Sequence, residues 1–269
     1  MLRLRQIALV ARKLAPVVEE LSEIFGLEVA HRDPAVAVFG LENAVFPVGQ
    51  QFLEVVSPVR DGTAGGRYLE RRNGDGGYMV ILQCDDHPRR KRRADELGIR
   101  RALEQDTATY RLMQLHPRDT GGSFLEIDLQ VGGEDMDAAW EPAGKDWQGA
   151  VRTEVVRAIA AAEIQSADPE ALARRWSDIL EIELGRDDED RAQLMLANAA
   201  IRFVADRDGR GEGLGGLDLV AADRAALLGA AERRGRRISG DMVQVCGMRL
   251  RPVGSETSLG PVQDPFFRA

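Results

Sequence analysis

Two glutamates stand within apolar runs of the N-terminal half and are the side chains best placed to move protons. Alternation along QFLEVVS places Glu54 on the same strand face as Phe52, and alternation along SFLEIDL places Glu126 on the same face as Phe124. A carboxylate among apolar neighbours is costly unless it faces water, a partner or a metal. Two carboxylates in one partly apolar cleft cannot both ionise cheaply, which would leave an acid and a base side by side. The alternative is that both glutamates lie on a solvated sheet face or pair with arginine.

The elements that must position these glutamates recur along the chain. Residues 7–25 match residues 162–180, and residues 80–98 match residues 217–235, each as a strand followed by a helix. Further β-type segments are predicted between the helices, at 35–39, 44–48, 51–57, 109–115 and 123–129 in the first half and at 193–204, 242–246 and 248–251 in the second. Each half therefore reads as β-α-β-β followed by another strand-helix-strand-strand set.

The repeat predicts an α+β chain made of two related modules. The predicted divisions, in chain order, are a first module with the candidate site (1–129), a linker (130–153), a degenerate second module (154–253) and a C-terminal tail (254–269). The linker has no clear period, and we expect it to pack partly through Trp140 and Trp147. Phe266 and Phe267 in the tail are expected to dock on the body of the protein or on a partner chain.

The composition limits the class of protein and its partners. The 269 residues are 44% hydrophobic and 30% charged but only 5% aromatic, which predicts a globular protein with an aliphatic core. A net charge of −8 argues against a nucleic-acid partner, and no apolar run approaches the roughly 20 residues needed to cross a bilayer. Cys84 and Cys246 form no disulfide framework. We therefore expect a cytoplasmic protein.

Two groups of basic residues each allow two interpretations. The run PRRKRR at 88–93 favours a solvated helix face with i,i+4 ion pairs, and the alternative is a docking patch for an acidic partner or a CoA-like phosphate. Arg202 interrupts the apolar strand AIRFVAD, where it either anchors a carboxylate or phosphate or pairs with a nearby acid.

Four segments, in this order, resemble the vicinal oxygen chelate superfamily, which includes glyoxalase I, methylmalonyl-CoA epimerase and extradiol dioxygenases. They are RQIALVARKL, FLEVVSP, GGYMVILQCDD and HPRDTGGSFLEI, the last being similar to the closing segment of the epimerases. The resemblance covers residues 1–129 well and 154–253 more weakly. It implies two tandem βαβββ modules that form a curved mixed sheet with an open cleft, as in glyoxalase and bleomycin-resistance proteins.

The resemblance also implies a site for a divalent metal such as Zn, Ni, Fe, Co or Mn in the cleft. Gln6, Glu54 and Glu126 match three of the four ligand positions of the superfamily. The third position in chain order falls on Met79, and a one-residue slip would place Tyr78 there instead. A thioether suits soft ions, so the fourth ligand is missing and the site is degenerate. A chain without a metal is the alternative.

The residues expected to line the cleft and bind a small molecule are Gln6, Phe52, Tyr78, Met79, His116 and Phe124. His116 lies in the HP loop near the closing strand, from which it either swings toward the cleft or remains in water. His31 and His87 are expected to be solvated. In the second half the matching positions are Ala161, Arg202, Gly216 and Arg251, which cannot form a metal site.

These observations favour an enzyme of the glyoxalase or epimerase type. It would act on a small carbonyl or carboxylate substrate by lyase- or isomerase-type proton transfer, with Glu54 and Glu126 as the catalytic residues. The alternative is a metal-free protein that binds and sequesters a small molecule, as bleomycin-resistance proteins do. We expect either a monomer that acts as a pseudo-dimer or a homodimer.

Overall fold

Alternating apolar residues form the strands of two mixed β-sheets in the computed structural model, which describes residues 1–254. The strands of the first sheet are Leu2–Val10 (β1), Leu41–Val48 (β2), Gln51–Pro58 (β3), Gly76–Cys84 (β4), Arg101–Asp106 (β5), Tyr110–Leu115 (β6) and Phe124–Gln130 (β7). They lie in the order β2-β3-β1-β4-β7-β6-β5. The predicted tail with Phe266 and Phe267 lies outside the described residues.

The second sheet repeats this plan with eight strands. They are Val156–Ser166 (β8), Leu184–Arg186 (β9), Ala192–Met195 (β10), Ala200–Ala205 (β11), Gly213–Ala221 (β12), Arg237–Ser239 (β13), Met242–Val245 (β14) and Met248–Val253 (β15). Their order is β13-β14-β15-β12-β8-β11-β10-β9. A central antiparallel pair, β1 with β4 and β8 with β12, joins the two strand-helix-strand units of each half.

Helices cover the outer faces of the sheets. They are Leu14–Phe25 (α1), Ala64–Arg71 (α2), His87–Glu96 (α3), Pro117–Thr120 (α4), Pro169–Leu180 (α5) and Arg224–Arg233 (α6). Asp168 accepts a hydrogen bond from the Ala171 N–H at the start of α5, as expected of a helix N-cap. Among residues 1–254, no helix combines the length and apolar character that crossing a bilayer requires.

The predicted fold class is confirmed: the chain is α+β, with a tandem repeat of related modules. The predicted strand at 35–39 is wrong, because residues Pro34–Phe39 form a 3₁₀ helix. Asp33 accepts the N–H of Ala35, and Pro34 fixes the backbone at the first turn, which together favour a helical turn over an extended segment. The divisions at 129 and 154 stay a prediction.

The two halves contact each other through reciprocal ion pairs between helices. Arg89 and Arg90 of α3 contact Glu181 at the end of α5, at 2.9 and 3.0 Å. In the opposite direction, Arg234 after α6 pairs with Glu23 of α1. The basic run at 88–93 is therefore not simply a solvated helix face, because part of it joins the two halves.

Two arginines fasten the halves together through backbone carbonyls. Arg72 donates to the carbonyl groups of residues 210, 211 and 212 at 2.6–2.9 Å, and its side chain is buried. Arg210 returns the contact by donating to the carbonyls of residues 72, 74 and 75. Each guanidinium satisfies several carbonyls that the interface removes from water, so these contacts fix the relative position of the halves.

Replacing Arg72 with alanine should lower the free energy of unfolding by about 2–4 kcal/mol, because three interface carbonyls lose their donor. Urea unfolding followed by circular dichroism measures this change. The control is Arg92→Ala on α3, which removes an exposed arginine that forms no hydrogen bond or ion pair with a described side chain and should cost less than about 0.5 kcal/mol. Equal losses in the two variants would contradict the role of Arg72 in the interface.

Candidate functional site

The register of the central strands places the predicted site residues on one face of the first sheet. Gln6 on β1 lies opposite Ile81 on β4, and Ala8 lies opposite Met79. A local two-fold axis between β1 and β4 exchanges these two pairs. Gln6 and Met79 therefore occupy equivalent positions on the two central strands.

The same axis relates the two glutamates. Glu54 on β3 lies beside Ala8, and Glu126 on β7 lies beside Ile81. Paired residues share a sheet face, so both carboxylates project to the same side. Three strand intervals of about 4.8 Å separate their backbones, or roughly 14 Å.

Neutral amide groups hold both carboxylates. Glu54 accepts hydrogen bonds from Gln6 Nε2 at 2.9 Å and from Asn43 Nδ2 at 2.7 Å. Glu126 accepts one from Gln114 Nε2 at 2.9 Å. Within residues 1–254, neither carboxylate forms an ion pair with a cation. The amides satisfy the carboxylate oxygens but do not neutralise their charge.

This environment shifts the protonation of both glutamates. Burial raises the pKa of Glu54 to about 7, and the charge of Glu126 adds to the rise, while the amides of Asn43 and Gln6 oppose it. Burial also raises the pKa of Glu126, and hydrogen bonds from Asp128 and Gln114 oppose that rise. Glu54 can therefore exchange a proton near neutral pH, and the proton affinity of Glu126 is raised as well.

The segment between the two sheets covers one end of this face. Trp140 Nε1 donates to Gln6 Oε1 at 2.8 Å, and Trp147 packs edge-on against Phe52 with ring centroids 5.0 Å apart. Arg5 lies against the same rings, 5.1 Å from the centroid of Phe52. The linker was expected to pack through these two tryptophans, and both are fully buried; they also cover the predicted binding residue Phe52.

The opposite end of the face is aromatic. An extra residue in β4 at Tyr78 shifts the register beside Met79, and such a bulge lets both side chains reach the same side. Tyr78 contacts Phe124 and Tyr68 of α2, with ring centroids 5.1 and 4.9 Å apart. Half-buried Met79 and Phe124 lie between this aromatic end and the two glutamates. Because of this bulge, both Tyr78 and Met79 lie near the third ligand position implied by the resemblance.

The histidines occupy structural positions. His116 Nδ1 accepts the N–H of Arg118 and so caps α4; its role in binding stays a prediction. His87 was expected to be solvated, but it is 1% exposed and its Nε2 contacts the carbonyl of Ile127 at 3.1 Å. His31 is half-buried and bridges to β2 at Val45.

The profile of the glyoxalase-like domain family matches residues 7–180, which is more than half of the chain. The chain belongs to the glyoxalase-like domain family. This membership confirms the resemblance to the vicinal oxygen chelate superfamily. The match includes β8 and α5, so it extends beyond the first sheet into the second half. Among curated proteins, no match to the glyoxalase-like chain was found.

Solved structures are similar to the glyoxalase-like chain over all or part of its length. A hypothetical protein from Staphylococcus aureus is 12% identical, with 94% of this chain and 100% of that chain covered and a TM-score of 0.62. Methylmalonyl-CoA epimerase from Streptomyces coelicolor, in complex with 2-nitronate-propionyl-CoA, is 22% identical over 48% of this chain and 97% of its own, with a TM-score of 0.43. The epimerase from Mycobacterium tuberculosis is 19% identical over 47% and 87%, with a TM-score of 0.42.

In the second half of the glyoxalase-like chain, arginines replace the two glutamates: Arg202 stands at the position of Glu54 and Arg251 at that of Glu126. Arg202 donates to Asp218 at 2.9 Å and to Glu163 at 3.2 Å. Arg251 also donates to Asp218, at 2.6 Å. The ion-pair interpretation of Arg202 is therefore confirmed. These contacts leave Glu163 and Asp218 as charged, paired carboxylates, because their arginines lower the pKa of each against the effect of burial.

The donor set of the first half does not fit a divalent metal, although members of the superfamily often hold one. The amide oxygen of Gln6 already accepts the Trp140 indole, and both oxygens of Glu54 accept amide N–H groups. Met79 offers a thioether, which hard or borderline ions bind poorly. Among the residues described, no three His, Cys, Asp or Glu side chains are grouped to hold an ion. These contacts therefore do not support the metal site that the resemblance implies at Gln6, Glu54 and Glu126.

Sequence reasoning missed the residues that hold the glutamates. Asn43 and Gln114 come from the strands next to those of Glu54 and Glu126, and Trp140 comes from the segment between the sheets. The sequence offers one signal for Asn43 and Gln114: each is a polar residue within a strand next to that of a glutamate. No period marks Trp140, so its contact with Gln6 required the structure.

Replacing Trp140 with phenylalanine should destabilise the fold more than replacing Trp147 with phenylalanine. Both indoles are fully buried, but Trp140 Nε1 donates to Gln6 whereas Trp147 Nε1 has no hydrogen-bond partner. The Trp140 variant leaves the Gln6 oxygen unsatisfied, so its extra cost should be about 1–2 kcal/mol. Urea unfolding of the two variants measures the difference, and equal losses would rule out a specific contribution of this hydrogen bond.

The pKa of Glu54 predicts how stability depends on pH. The pKa rises from 4.5 to about 7 on folding, so the stabilisation is present below pH about 4.5 and is lost as the pH rises through 7. Relative to Glu54→Gln, the wild type should lose roughly 1–3 kcal/mol between pH 4.5 and 8. Denaturant unfolding across this range tests the trend. Glu42→Gln, an exposed change on β2, should run parallel to the wild type, and a parallel curve for Glu54→Gln would disprove the shift.

Proposed function

We propose that the glyoxalase-like chain is an enzyme that catalyses isomerase-type proton transfer at a carbon next to a carbonyl group of a small substrate. The observation that carries this proposal is the pair of carboxylates on one sheet face, each held by neutral donors and neither paired with a cation. A cation would fix both groups as anions, whereas this arrangement raises the pKa of both glutamates, that of Glu54 to about 7.

Glu126 acts as the base and Glu54 as the acid. The pKa of Glu54 at about 7 keeps this group partly protonated at neutral pH. Burial raises the pKa of Glu126, but hydrogen bonds from Asp128 and Gln114 oppose that rise, so we assign Glu126 the role of the base. Glu126 removes the proton from carbon, and the electron pair moves onto the carbonyl oxygen as an enolate. Glu54 then gives its proton to the opposite side of the carbon. Solvent returns a proton to Glu54 and takes one from Glu126 after the product leaves.

The surroundings of the glutamates favour a small substrate. Trp140 and Trp147 close one end of the face, and Tyr68 of α2 covers the other. Met79 and Phe124 supply an apolar floor between them, with partly exposed side chains. Such a floor favours a substrate with a short alkyl branch next to its carbonyl. A cytoplasmic location and the choice between monomer and homodimer stay predictions.

Glu54→Gln and Glu126→Gln should separate the two proton transfers. We suggest methylmalonyl-CoA, named with the similar structures, and other 2-substituted thioesters and 2-oxo acids as probes in D₂O. Glu126→Gln should lose deuterium incorporation by at least a hundredfold, because the base is gone. Glu54→Gln should keep exchange without inversion but lose epimerisation, because only one face still meets an ionisable group. Proton NMR and chiral analysis report the two processes.

Glu42→Gln is the matched control, because it changes an exposed glutamate of the same sheet and should leave both rates unchanged. Wild-type epimerisation should decline as the pH rises through about 7, where Glu54 loses its proton. Full activity in both site variants would refute the proposal. A probe that stabilises the fold without exchanging hydrogen would support the sequestering alternative instead.

A further inference from the structure

The second sheet carries an inverted version of the first site. Arg202 lies beside Glu163 on the central strand β8, and Arg251 lies beside Asp218 on β12. In the first sheet the equivalents of these two arginines are Glu54 and Glu126. The two acidic positions of one half are thus basic in the other, although the backbone register is the same.

Small residues occupy two positions on the central strands of the second sheet. Ala161 and Gly216 stand where the first half has Gln6 and Met79, so two long side chains are missing from the inner face. A cavity of about 40 Å³ lies there, with Gly216 and Met242 in its wall. That volume is about three times the minimum of 10–15 Å³ that holds one water molecule, and it suits a compact polar group.

The cavity wall carries more cations than anions. Its charged residues are Arg191, Arg207, Arg249, Arg251, Glu163 and Asp218. Four guanidinium groups thus face two carboxylates. Arg191 pairs with Asp187 at 2.7 Å and Glu189 at 2.9 Å, and Arg249 pairs with Glu163 at 2.9 Å and Asp208 at 3.5 Å. Arg207 is exposed and contacts no acid among residues 1–254.

The ion pairs in this half leave several guanidinium donors unused. Arg251 donates from Nε and Nη2 to Asp218, whereas the nearest acid to its Nη1 is Glu189, at 3.9 Å. Arg207 is also in the cavity wall and forms no ion pair with a described residue. An oxyanion in the cavity could accept from such unused donors.

We propose that the cleft of the second half binds a compact oxyanion, the phosphate or carboxylate group of a small ligand. Guanidinium groups recognise both kinds of oxyanion with paired N–H donors, and Arg207 and Arg251 are the residues with donors to spare. The site is separate from the glutamates of the first half, and its ligand need not be their substrate.

Isothermal titration calorimetry of the full chain with inorganic phosphate, and separately with acetate, tests this site at a fixed ionic strength set with sodium chloride. We expect saturable binding of at least one of the two anions, and the stronger of the two defines the ligand class. Arg207→Gln and Arg251→Gln should each weaken that binding at least fivefold. Arg92→Gln, which changes an exposed arginine of α3 in the first half, should stay within twofold of the wild type.

Two results would overturn the proposal: no saturable binding of either anion by the wild type, or unchanged affinity in both site variants. Arg251→Gln also breaks the contact with Asp218, so its fold is checked by circular dichroism. Arg207→Gln removes no contact with a described residue, and it decides the question alone if the Arg251 variant does not fold.

Discussion

The chemistry of the first half depends on two carboxylates that are taken out of bulk water without a cation to balance them. Removing a carboxylate from water is expensive, and an arginine would repay part of that cost by fixing the group as an anion. Gln6, Asn43 and Gln114 instead satisfy oxygen lone pairs with neutral N–H donors. The remaining penalty appears as a raised proton affinity, which is what an acid or base working near neutral pH requires.

The hydrogen bond from Gln6 to Glu54 is fixed in place because Gln6 has a second partner of its own. The Gln6 amide donates to Glu54 through nitrogen and accepts from Trp140 through oxygen, so the orientation of the amide is fixed by both neighbours. Trp140 belongs to the segment that joins the two sheets, and the sheets are fastened together by Arg72 and Arg210. The position of Glu54, the proposed acid, thus depends on the contact between the halves as well as on its own strand.

Strand alternation was sufficient to predict that Glu54 and Glu126 each face an apolar neighbour, and the internal repeat was sufficient to predict the tandem fold. Neither could reveal Asn43 or Gln114, because finding them requires the pairing of separate strands, which alternation does not specify. The 3₁₀ helix at Pro34–Phe39 was missed because a short apolar run reads equally well as a strand. Trp140 lies in a segment without periodicity, so its place beside Gln6 depended on tertiary packing.

The comparison of the two halves shows that the same backbone register can hold different side chains. The parallel partners β1 and β3 in one half, and β8 and β11 in the other, hold the functional positions in the same register. One pair holds Glu54 beside Ala8, and the other holds Arg202 beside Glu163. A buried charge is compensated in the second case by its neighbour and in the first only by neutral donors. Backbone geometry therefore sets where side chains meet, and the choice of one neighbouring residue decides whether the site holds a proton or an ion pair.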